Sequence, residues 1–161
     1  MQKSIGFKKI NVAIFISGDG SNLKNLIYHS RKKNSKFKIG LVISNVQKAK
    51  GLNYAIKFKI KNKIVNYSNF KDAEKKILIE LKKNKINLIC LAGFMKILSK
   101  NFIKNFDHNI INIHPSLLPK YKGLNTHQRA MDDKEKYSGC TVHYVSSKLD
   151  SGKIILQKKV K

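Results

Sequence analysis

Asn112 and His114 stand two residues apart in Asn112-Ile113-His114-Pro115, at the end of an apolar run. On a strand, that spacing puts both side chains on one face. A carboxamide beside an imidazole suits acyl transfer, because the amide N–H stabilises a developing oxyanion while the imidazole moves a proton. Such a donor is worth about 3–4 kcal/mol when aimed at that oxygen. Pro115 biases His114 towards an extended backbone. Pro115 and Pro119 are the only two prolines in 161 residues, where average usage of ~5% would give about eight. Asp150, in Lys148-Leu149-Asp150-Ser151-Gly152, would complete the set by keeping His114 protonated or by ordering a water. The same residues also read as capped strand-end polar groups and a simple turn aspartate.

Two further stretches carry chemistry. Gly18-Asp19-Gly20-Ser21-Asn22 follows the apolar run Val12–Ile16. It is not a dinucleotide fingerprint, since Leu23 stands where Gly or Ala is needed, and no Gly-Lys-Ser/Thr makes it a Walker loop. It is a glycine turn opening a helix, whose N–H groups and dipole suit a single phosphate. The alternative is a plain turn with Ser21 or Asn22 as helix cap. Gly93-Phe94-Met95-Lys96 offers an apolar wall and free backbone groups to a flat heterocycle, or else ordinary core packing. His143, mid-strand in Thr141-Val142-His143-Tyr144, reads equally as a core histidine or a site residue, and His127 is similarly open. His29 and His108 read as surface or strand-flank residues, and no spacing among the histidines suggests a metal site.

Alternating elements must position these stretches. Strands are expected at Val12–Ile16, Phe37–Ser44, Lys63–Tyr67, Asn87–Ala92 and Asn109–Ile113, with helices at Ser21 to about Lys33, Lys48–Phe58, Lys71–Lys83 and Lys96–Phe106. Such alternation implies parallel βαβ units in an α/β, Rossmann-like, doubly wound sheet of about seven strands. A helix near Thr126–Asp133 precedes two strands, Gly139–Val145 and Lys153–Val160, which read as an antiparallel hairpin. In open α/β sheets ligands sit at the carboxyl ends of the strands. The three stretches should therefore meet in one cleft.

The bulk composition excludes several classes. A length of 161 residues with 42% hydrophobic content is one domain, expected to span 1–161 with 1–10 as an N-terminal extension. The net charge is +25, yet 32 of the 34 basic residues are lysines spread along the chain without a basic block. This reads as a solvated surface rather than a nucleic-acid site. Cys90 and Cys140 lack a C-x-x-C pairing and read as buried thiols of a reducing cytoplasm. No stretch is long enough for a membrane span or a signal-peptide core, so a cytoplasmic protein without membrane contact is expected.

At these residues the chain resembles the phosphoribosylglycinamide formyltransferase family of folate-dependent purine biosynthesis. The likeness lies in Ile16–Leu23, Leu91–Leu98, Asn112–Pro119 with Lys120–Leu124, and Leu149-Asp150, in order and spacing. It implies the formyltransferase fold and transfer of the formyl group of 10-formyltetrahydrofolate to the amine of glycinamide ribonucleotide, without a metal. It implies a catalytic set of Asn112, His114 and Asp150, the last raising the pKa of His114. Gly20, Ser21 and Asn22 would bind the substrate phosphate, and Met95, Lys96, Ile97 and Leu98, with Asn112, would line the folate site. The partners would be these two small molecules, with no specific nucleic acid, in a monomer or homodimer.

The chain departs from the family pattern at Lys96, where Arg is usual, at Asn125 for His, and at Ser151 for Gly. An arginine expected near Phe70 to Glu74 has no counterpart. The family's C-terminal strand and helix continue past Lys161, so a truncated C-terminal end is expected. The alternatives are methionyl-tRNA formyltransferase, formyltetrahydrofolate hydrolase, and a non-catalytic basic nucleic-acid-binding α/β domain.

Overall fold

The strand β1 (Ile10–Ile16) is an almost unbroken run of β-branched and aromatic side chains, buried from Val12 onward. Such a run belongs in the middle of a sheet covered on both faces, and β1 lies there. A computed structural model describes residues 9–161; the expected extension at 1–10 lies outside the described residues except for its last two. One seven-stranded sheet has the order β3-β2-β1-β4-β5-β6-β7, with β2 at Phe37–Ser44, β3 at Asn62–Ile64, β4 at Leu88–Leu91, β5 at Asn109–His114, β6 at Ser138–Tyr144 and β7 at Ile154–Val160. The first five are parallel, and β6 and β7 are antiparallel, as the hairpin reading expects.

Helices cover the sheet: α1 (Ser21–Ser30), α2 (Leu52–Lys57), α3 (Phe70–Lys83), α4 (Lys100–Asn105) and α5 (Thr126–Asp132). The alternation of β1 divides the core in two. Ala13 and Phe15 pack with Ile77 and Leu81 of α3 and Phe102 of α4. Val12, Ile14 and Ile16 pack with Leu23 and Ile27 of α1 and Leu52 and Ala55 of α2. The order reverses between β1 and β4, since the chain runs outward to β3 before returning. At that reversal the loops after β1 and β4 diverge to opposite faces and leave a crevice.

Several boundaries differ from expectation for local reasons. Lys96–Phe106 is not one helix: Ser99 is the N-cap of α4, its hydroxyl accepting the Phe102 N–H at 3.0 Å, and residues 96–98 stay irregular. Lys48–Phe58 shortens to α2, because residues 47–51 form turns that end in a Gly51 contact with Gly18. The third strand is Asn62–Ile64 rather than Lys63–Tyr67, and the first helix stops at Ser30 instead of about Lys33.

Candidate active site

The β5–β6 register builds the centre of the site. Asn112 pairs with His143, and His114 pairs with Thr141. Directly opposed residues on antiparallel strands point to the same face, so four polar side chains gather at one patch. His143 therefore lies beside Asn112 while fully buried, so the core placement and the site placement coincide. Its signal was the antiparallel pairing of β6 with β5, which periodicity along one strand does not reveal.

Asp150 is the hub of this patch. The loop between β6 and β7 brings it over Asn112 and His143, with its backbone in the left-handed region at φ 43. Oδ1 accepts an N–H from Asn112 Nδ2 at 3.3 Å and lies 3.5 Å from His143 Nε2. Oδ2 accepts the Gly123 N–H at 2.8 Å and lies 3.5 Å from His114 Nδ1. Burial works against the charged carboxylate. The His143 and Gly123 hydrogen bonds and the nearby imidazoles outweigh it and hold Asp150 below its ordinary value. For His143, burial disfavours the charged ring, but the Asp150 contact and the Tyr144 carbonyl raise it overall.

The two histidines face different partners. His114 is buried, with Nε2 2.8 Å from the Tyr121 carbonyl and Nδ1 towards Asp150. Both ring nitrogens of His114 therefore lie beside oxygen acceptors. His143 Nδ1 donates to the Tyr144 carbonyl at 2.8 Å, and Nε2 lies 3.2 Å from Asn112 Nδ2. The Asn112 amide thus lies between a carboxylate and an imidazole, its orientation set by both. Asp150 and His114 meet as the sequence reading expects.

A cleft of about 920 Å³ opens over these groups. Asn22 lines one side, residues 93–98 another, and Asn112, His114 and Asp150 lie along it. The three stretches therefore converge. Gly20 is the αL N-cap of α1 at φ 75, with no side-chain cap, while Ser21 and Asn22 lie in the first turn. Neither Ser21 nor Asn22 is the helix cap that one reading expected, because Gly20 takes that position and no side chain closes the helix end. Gly20 and Ser21 are not among the residues that line the cleft; they form the turn behind Asn22. Met95, Lys96 and Ile97 are exposed in the cleft wall and Leu98 is buried beneath them.

The remaining residues sort by position. His127 lines the cleft, whereas His29 and His108 are exposed away from it. Cys90 is buried and its thiol is pushed up to about 12 by desolvation. Cys140 corrects the buried-thiol reading: β6 places it half-buried in the cleft lining. Asn125 adopts φ 56 as the N-cap of α5, a conformation Asn tolerates better than most residues. Ser151 Oγ accepts from Lys122 Nζ at 2.6 Å. Among the described residues, no group of three or more His, Cys, Asp or Glu is placed to hold a metal ion, and no helix is long and apolar enough to cross a membrane.

Comparison with known proteins agrees with this geometry. The formyl transferase family model matches residues 10–161. The human trifunctional purine biosynthetic protein adenosine-3 is 43% identical over 156 residues, which are 95% of this chain but 15% of that protein. Phosphoribosylglycinamide formyltransferase of Haemophilus influenzae is 43% identical over 152 residues, covering 92% of this chain and 72% of that one. The crystal structure of phosphoribosylglycinamide formyltransferase from Anaplasma phagocytophilum superposes with a TM-score of 0.89 at 41% identity, over 95% of this chain and 72% of that one. From residue 10 to residue 161, in sequence and in fold, the chain belongs to the formyl transferase family, among the phosphoribosylglycinamide formyltransferases.

Proposed function

We propose that the protein transfers the formyl group of 10-formyltetrahydrofolate to the amine of glycinamide ribonucleotide in purine biosynthesis. The observation that carries this reading is the junction of Asn112, His114 and Asp150 on the floor of a cleft between a glycine turn and an apolar loop. The uncapped N-terminus of α1, at Gly20, Ser21 and Asn22, suits the substrate phosphate. Met95 and Ile97, 60% and 75% exposed, offer an apolar wall that a flat pterin would cover, with Lys96 and Leu98 beside them and Asn112 at the inner end. The folate supplies the formyl group. The chain acts in the cytoplasm on these two small molecules, as a monomer or homodimer.

The residues divide the work. Asn112 Nδ2 donates to the formyl oxygen as negative charge builds there, aided by His114, while the substrate amine forms the new C–N bond. His114 passes protons as the bond to the folate nitrogen breaks and the attacking amine loses its hydrogen. Asp150 fixes His114 and Asn112 in place and balances positive charge on the rings. The test is release of tetrahydrofolate from purified protein with both substrates present. Release that needs both, and that falls sharply in His114→Ala and Asn112→Ala, supports the mechanism; turnover indifferent to those changes rejects it.

A further inference from the structure

The wall from Gly93 to Leu98 has no regular secondary structure, so individual contacts must place it. Its ends are fixed independently. Phe94 packs edge-on against Phe15 and Tyr67, with ring centroids 5.3 and 5.6 Å apart. Beyond the wall, the Glu74 carboxylate accepts the Ser99 backbone N–H at 2.7 Å and its hydroxyl hydrogen. The middle of the wall is held by Ser17, from the opposite side of the crevice.

Ser17 follows β1 and opens the glycine turn. Its N–H donates to the Gly93 carbonyl at 2.9 Å, and its hydroxyl oxygen accepts the Met95 N–H at 2.7 Å. The same hydroxyl donates to Asn45 Oδ1, in the segment after β2. A hydroxyl has one hydrogen to give. Asn45 takes it, which turns the oxygen lone pairs towards Met95. On the other flank, the Gly18 carbonyl accepts the Gly51 N–H at 3.0 Å, so the turn is held from two sides.

We infer that Ser17 is a positioning residue that sets the spacing between the phosphate turn and the folate wall, with Asn45 directing its hydroxyl. The inference rests on the proposed function for the identity of the two subsites. Acyl transfer between two bound molecules depends steeply on their separation, and Ser17 hydrogen-bonds directly to the wall from the turn. Its removal frees the Met95–Ile97 segment while Phe94 and Ser99 still hold both ends, so the fold survives.

The test is Ser17→Ala, with Ser17→Thr as the variant that keeps the hydroxyl. In Ser17→Ala the KM for 10-formyltetrahydrofolate rises about tenfold and kcat falls, while the KM for glycinamide ribonucleotide stays within about twofold. Ser17→Thr recovers most of the loss. Calorimetric titration with tetrahydrofolate shows the same weakening without turnover. A merely structural role raises both KM values alike and lowers the melting temperature, and that result overturns the assignment. Wild-type turnover with Ser17→Ala unchanged in folate KM and affinity overturns the role of Ser17 alone. Wild-type protein that neither binds tetrahydrofolate nor turns over overturns the functional reading and this inference together.

Discussion

Asp150 Oδ2 accepts the Gly123 N–H at 2.8 Å, joining the loop before β7 to the loop before α5. Both residues have left-handed backbone at the junction, with φ 43 and φ 80. Glycine adopts that conformation freely; an aspartate pays a modest steric penalty. Strain of this kind gathers where a carboxylate must be aimed, and here the carboxylate faces His114, His143 and Asn112 at once.

Replacing Asp150 by Asn keeps the size of the side chain and removes its charge. Formyl transfer falls about 10²–10⁴-fold, as for loss of a group that sets acid–base chemistry. Steady-state kinetics check this, and an effect confined to KM would contradict it.

Asn112→Ala removes the amide donor while leaving β5 intact. The kcat falls about 10²–10³-fold, the range for one oxyanion donor. The KM for each substrate changes far less, because the donor acts on charge that exists only in the transition state.

The same cluster sets a pH dependence of folding stability. Asp150 is held below its ordinary 3.8, so its contribution is present above that value and is lost as pH falls through the lower folded value. His143 is held above its ordinary 6.5, so its contribution is complete below 6.5 and is lost as pH rises through the higher folded value. Both are present between 3.8 and 6.5. Melting temperatures of wild type and Asp150→Asn should differ most in that window, converge as pH falls through the Asp150 value, and draw closer without converging as pH rises through the His143 value, because the Gly123 hydrogen bond to Asp150 persists there. Parallel profiles across the whole range would refute the linkage.

Gly20→Ala meets two obstacles. The residue sits at φ 75, and a Cβ there would lie 2.5 Å from the Gly51 Cα. We expect a loss of about 1–3 kcal/mol in denaturant unfolding and a raised KM for the phosphate-bearing substrate. Gly18, with open space around its Cβ position, should tolerate alanine far better.

Glu74 is buried, and its carboxylate accepts two hydrogens from Ser99, the cap of α4. Glu74→Ala leaves the Ser99 N–H without its partner and should destabilise the fold by about 1–3 kcal/mol. Thermal unfolding of this variant beside Glu74→Gln measures how much of the loss comes from charge.

Much of this site could be read from the chain itself. The Asn112–His114 spacing, the glycine turn and the β-branched runs are local signals, and the structure brings them to one crevice. The contribution of His143 was ambiguous because it depends on which strand lies beside β6 and in what register. The irregular segment 96–98 read as helix because its apolar residues continue the spacing of α4, whereas Ser99 claims the cap through Phe102 and Glu74. The links from Ser17 to Asn45 and Met95 span 28 and 78 residues of chain. No periodicity reports contacts of that range.

The pairing of Asn112 with His143 gives the centre a parity. Between β5 and β6 the chain runs through residues 115–137, including α5, and there Tyr121 and Gly123 are tied to His114 and Asp150. Inside β6 the rule is binary. Removing one residue between Gly139 and His143, or slipping the strand by one, would put Val142's neighbour on the wrong side and turn the imidazole to the other face. A single-residue change of length is therefore closed to the strand, and in the loops it is open only where it leaves Tyr121, Gly123 and Asp150 in place.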